Sequence, residues 1–91
     1  MSVIQRIHKA IHEGRYLFTA HAREEAEDDG LRLRDIVDVL LLGELDSVYI
    51  DDVRGPRYVV RGFVEQAEVD VVCRFRTDGT LLIIITVYIV V

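Results

Sequence analysis

Hydrophobic residues recur at helical spacing through the first half of this chain and alternate through the second half. That pattern predicts helices followed by a sheet. Over residues 2–13, Val3, Ile4, Ile7, Ala10 and Ile11 form one apolar face, with Ser2 as N-cap and Gly14 as the stop. Tyr16-Leu17-Phe18 is a short apolar run that reads as a strand ending at Thr19. Thr19 can cap a second helix, Ala20–Asp29, whose small Ala22 and Ala26 permit close packing before Gly30 ends it. A third helix places Leu33, Ile36, Val37, Leu40 and Leu41 on one stripe and closes at Gly43.

From Leu45 the period becomes two. Strands are expected at Leu45–Ile50, Arg57–Val64 and Val69–Arg76, separated by a turn at Asp51-Asp52-Val53-Arg54-Gly55-Pro56 and a polar turn at Glu65–Glu68. The last stretch, Thr80–Val91, is dominated by β-branched Ile and Val and has no Gly or Pro, so it reads as a strand buried on both faces. It is much shorter than the roughly 20 apolar residues that span a bilayer. Asp78-Gly79 predicts a two-residue type I′ hairpin with Thr77 opposite Thr80. That register sets Phe75 by Leu82, Cys73 by Ile84, Val71 by Thr86 and Val69 by Tyr88 on a face that should meet the helices. The opposite face pairs Arg76 with Leu81, Arg74 with Ile83, Val72 with Ile85 and Asp70 with Val87. It is too apolar for full solvation, so either the first helix or another chain should cover it. The expected fold is α+β: a four-stranded antiparallel sheet, an early strand added at one edge, and two to three N-terminal helices packed against it.

Composition narrows this further. The length fits one domain spanning residues 1–91. A formal charge of -5 argues against a general nucleic-acid binder while leaving room for a local basic patch. Every basic residue except Lys9 is Arg, whose planar fork suits carboxylates and phosphates. The lone Cys73 excludes an intramolecular disulfide and fits a reducing compartment. Residues 1–15 contain no apolar run of the secretory type, so the expectation is a soluble cytoplasmic domain with no membrane association.

Several short segments occur together in order: Thr19-Ala20-His21-Ala22, Glu25 through Asp29-Gly30-Leu31, Asp35-Ile36, Gly43-Glu44-Leu45, Arg54-Gly55-Pro56-Arg57-Tyr58 and Ile85-Thr86-Val87-Tyr88. In this the chain resembles the bacterial and archaeal DUF4258 family from about Ile11 to Tyr88. That family is itself similar to the RelE and BrnT group of toxin-like proteins, in which small sheets carry helices on one side. The resemblance implies a toxin-like domain acting as a metal-independent RNA endonuclease, with RNA and an antitoxin protein as partners and no cofactor. Asp70 stands where the family commonly has His, and Ile89-Val90-Val91 stands where the family usually continues into a Pro-containing polar tail.

Metal-free RNA cleavage needs a group to move the 2′-OH proton and cations for the phosphate. His21 is the candidate for proton transfer, with Arg57, Arg74 and Tyr88 beside it in the catalytic set. Arg57, Arg61, Arg74 and Arg76 are the candidates for holding RNA. Each has a plainer reading. His21 can bond locally beside its cap, the arginines can pair across strands with Asp70, Glu65 or Glu68, and Tyr58 and Tyr88 can be core aromatics with polar tips. His21, Glu24, Glu25 and Asp28 share a helical stripe that more often means a solvated face than a metal site, and no metal is expected. His8 and His12, also i, i+4, lack a third ligand. Cys73, on the apolar face, reads as packing. The alternative function is a non-catalytic interaction module, or a homodimer formed through the open sheet face or the C-terminal strand.

Overall fold

A computed structural model describes residues 1–50 and 53–91. The chain runs α1 (Val3–His12), β1 (Tyr16–Phe18), α2 (Ala20–Asp28), α3 (Leu33–Leu42), β2 (Glu44–Tyr49), β3 (Arg57–Val64), β4 (Ala67–Phe75) and β5 (Leu82–Ile89). The fold is α+β, as the hydrophobic pattern predicts. The sheet has five strands, the four of the expected meander and the early one added at its edge, in the order β1-β5-β4-β3-β2. Strands β2 to β5 form the expected antiparallel meander, and β1 joins its edge parallel to β5, with Leu17 opposite Ile83.

Local chemistry explains where the helices start and stop. The Ser2 hydroxyl accepts from the Gln5 amide while the Gln5 side chain accepts from the Ser2 amide, a reciprocal cap on α1. Thr19 performs two tasks at once. Its hydroxyl caps α2 by accepting from the Ala22 amide at 3.1 Å, and donates to the Ile85 carbonyl at 3.0 Å. One side chain therefore fixes both the start of α2 and its position on β5. The turn expected over 51–56 falls partly outside the described residues, since Asp51 and Asp52 are not among them.

All three helices pack on one face of the sheet. Ile7 and Ile11 of α1, Ala22 and Ala26 of α2, and Ile36, Val39 and Leu40 of α3 meet Tyr58, Val60, Val69, Val71, Cys73, Leu82, Ile84 and Val87. The other face is not crossed by α1, contrary to one of the two covers expected for it.

The hairpin register departs from expectation in two places. The loop is longer than a two-residue type I′ turn: Arg76 pairs with Leu81, Gly79 donates to the Arg76 carbonyl, and Gly79 alone in the loop has positive φ, +75°. Phe75 still lies opposite Leu82, and Cys73 opposite Ile84. Beyond that pair the ladder slips by one residue between Val72 and Cys73, so that Ile85 is the extra residue of a β-bulge. Val71 then faces Val87 and Val69 faces Ile89, in place of the expected Thr86 and Tyr88. The slip brings Val87 into the core and turns Tyr88 outward beside Asp70. A bulge repairs the side-chain alternation where Ile83-Ile84-Ile85-Thr86 would otherwise bury Thr86 and Tyr88.

Helix α3 ends hard against β3. A Cβ on Gly43 would lie 2.5 Å from the Arg61 carbonyl oxygen and 2.6 Å from that of Val39, and Gly62 faces the Val39 side chain across the same contact. Both obstacles are backbone, so neither can swing aside. Gly43→Ala should therefore destabilise the fold by about 1–3 kcal/mol, read as a lower urea midpoint with unchanged m-value.

Candidate functional site

The open face of the sheet is built from alternate residues of β3, β4 and β5. Val59 lies opposite Val72 and Arg61 opposite Asp70, so Arg57, Arg61 and Arg74 all point to this side. The cationic strip foreseen on adjacent strands does share one face. Its central member, however, is already engaged. Arg61 donates from Nε to Asp70 Oδ1 at 2.7 Å and from Nη2 to Oδ2 at 3.0 Å, while Asp46 and Glu68 lie 3.6 and 3.9 Å from the same guanidinium. Asp70 is buried at 2% exposure. The Arg61 fork holds its carboxyl below the usual aspartate range against the opposing effect of burial, and the Tyr88 hydroxyl adds to that stabilisation. The Tyr88 phenol is pushed up by its own burial and by the Asp70 charge. Three carboxylates thus surround one arginine, and the centre of the strip offers no net positive charge to a phosphate.

The remaining cations are dispersed. Arg76 lies in the hairpin loop and donates to Asp78 and Thr80, tying the loop together. Arg57 is exposed at the start of β3, and Arg74, half-buried on β4, forms no hydrogen bond or ion pair with a described residue.

His21 stands elsewhere. It lies in the first turn of α2, which packs on β5 and β1 at the edge farthest from β2. Its Nε2 is 3.2 Å from Glu25 Oε1, and Glu25 in turn accepts from the Thr86 hydroxyl and, at 3.2 Å, from the Val87 amide. Glu25 thereby satisfies β5 where β1 has ended, and His21 braces Glu25. From there β4 intervenes before β3, so the backbone of Arg57 and Arg61 is two strands away, ~10 Å at the usual strand spacing. The structure brings Arg61 and Tyr88 together at Asp70, and leaves His21 on a different element and beside a different carboxylate.

Among the described residues, no three His, Cys, Asp or Glu side chains converge as metal ligands. Of the stripe on α2, His21 and Glu25 are the pair in contact. Cys73 is fully buried, which pushes its thiol up to about 12 and removes it as a nucleophile at neutral pH. Tyr58 is a core residue whose ring meets Phe75 edge-on at 6.4 Å.

A second feature lies where α3 runs into β2. The outer edge of β2 pairs with no strand among the described residues. Around its start opens a groove of about 580 Å³ lined by Asp38, Leu42, Glu44, Leu45, Asp46, Arg61, Phe63 and Glu68. Leu42 is 84% exposed and Phe63 67%, high values for large apolar side chains that share one depression. Sequence reading missed this groove, though two signals were present. Leu42 lies off the apolar stripe of its helix, and Phe63 has the strand parity of Arg57 and Arg61 rather than that of Tyr58 and Val60.

The molecule is thus a small α+β domain with helices on one face, a neutralised polar cluster on the other, and a groove beside β2, the longer of its two edge strands. It belongs to the family described as a domain of unknown function, DUF4258, whose model matches residues 18–89. No curated protein and no solved structure matches the chain. No helix among the described residues is long and apolar enough to cross a membrane.

The Arg61–Asp70 pair has a testable pH signature. Because the folded carboxyl is depressed, its contribution is complete above the ordinary aspartate value near 4 and is lost as pH falls through the lower folded value. Arg61→Met alone should lower Tm at pH 7 by more than Arg61→Met with Asp70→Val, because the single change strands a buried charge. Thermal melts of both variants from pH 7 to about pH 2 should show that gap closing as Asp70 becomes protonated.

Proposed function

We propose that this chain is a non-catalytic protein-binding module that receives an extended partner segment along the free edge of β2. The observation that carries this reading is the row of exposed apolar side chains along β2, the longer of the two edge strands of the sheet. At the β1 end the edge strand is only three residues long, and Thr19 and Glu25 complete the bonds of β5 beyond it. At the other side, β2 has no strand beyond it among the described residues, and Leu45, Val48, Tyr49 and Ile50 are all substantially exposed along it. An uncovered edge flanked by apolar side chains is the usual template for adding a strand, because main-chain bonds supply affinity and side-chain pockets supply selectivity. The C-terminal strand, considered for the same task, is an inner strand with neighbours on both sides.

The nuclease reading suggested by the resemblance lacks an assembled site in this arrangement. His21 is paired with Glu25 away from the arginines, and Arg61 is committed to Asp70.

Two measurements test the proposal. Wild type and His21→Ala, expressed side by side, should permit equal growth, and purified wild type should leave RNA uncut. Growth arrest relieved by His21→Ala would restore the endonuclease and sink the present reading. Hydrogen exchange on the isolated chain should show the outward amides of β2 exchanging far faster than those of β4, which is paired on both sides. Slow exchange throughout β2 would mean that the edge is already covered.

A further inference from the structure

The groove at the start of β2 has a charge as well as a shape, and the two together specify what fits it. Asp38, Glu44, Asp46 and Glu68 line it, against Arg61 as the one lining cation. That arginine is already held by both oxygens of Asp70, which lies beneath it. Asp38 and Glu44 form no hydrogen bond or ion pair with a described residue. The groove is therefore strongly anionic, while Leu42 and Phe63 make its walls apolar.

Resting on the protein-binding reading above, we infer that the partner segment is cationic: an extended stretch in which Lys or Arg alternates with apolar residues, lying along β2. Alternation follows from strand geometry, since successive side chains of an added strand point to opposite faces. One row would meet the carboxylates of Glu44, Asp46 and Glu68. The other would place an apolar side chain near Leu42, which α3 leaves in solvent at the mouth of the groove. An anionic segment, or phosphate, would meet like charge and be repelled. A second copy of this chain is a poorer occupant, because its own β2 would bring Glu44 and Asp46 rather than cations.

The test uses two short synthetic peptides with the same valines, one alternating them with lysine and the other with glutamate. Binding to the intact chain is followed by fluorescence anisotropy and by hydrogen exchange at β2. The lysine peptide should bind, weaken with added salt, and slow exchange of the β2 amides, while the glutamate peptide should bind at least roughly tenfold more weakly. Glu44→Lys with Asp46→Lys should reduce lysine-peptide affinity by roughly tenfold or more, with the melting curve checked to show that the fold survives. Phe63→Ser should weaken both salt-sensitive and salt-resistant binding. If both peptides protect β2 equally, the cationic preference is overturned while the edge-binding reading stands. Lysine-peptide binding without β2 protection would overturn the edge reading, leaving only unspecific charge attraction. If neither peptide binds and sedimentation shows a concentration-dependent dimer, the inference fails in favour of a second copy.

Discussion

Strand β5 has two sides, and a buried strand cannot leave either one without hydrogen-bond partners. Strand β4 satisfies one side along its whole length. On the other, β1 is only long enough for Leu82, Ile83 and Ile84, and the chain completes the task with side chains: Thr19 at the Ile85 carbonyl and Glu25 at the Val87 amide. Those groups also start and brace α2. The positions of β1, of α2 and of His21 beside Glu25 all follow from this need to finish one edge of one strand.

The bulge at Ile85 works within the same constraint. Continuous pairing from Phe75 and Leu82 would have carried Thr86 and Tyr88 toward the helices and Val87 toward solvent. The slip restores Val87 to the core and assembles Tyr88, Asp70 and Arg61 on the open face. A buried carboxylate tolerates this position because a two-pronged guanidinium answers both its oxygens. The same bond withdraws the arginine from any role as a phosphate clamp. Asp70 thus changes what this face can do through its hold on Arg61.

Charge is distributed to match this division of the sheet. The short edge strand β1 lies where side chains complete β5, and the longer edge strand β2 lies beside an anionic groove with apolar walls. The formal charge of -5 is thus not spread evenly, since several of its carboxylates gather where an extended partner would lie.

Much of this was legible in the residues themselves. Ser2 and Thr19 announced their helices, and Gly14 and Gly30 the ends of the first two, because capping and positive-φ requirements act over a few residues, while Gly43 ends the third where only a residue without Cβ fits against β3. Strand β3 was readable to the residue, and the Asp-Gly loop set Phe75 opposite Leu82. What the chain alone could not decide were relations between distant segments: the bulge, the parallel docking of β1, the Arg61–Asp70 lock, the separation of His21 from the arginines, and the exposure of Leu42 and Phe63. Local preference sets what each stretch becomes. Which stretches then meet depends on how competing edges and faces are satisfied together, and that balance exists only in the folded molecule.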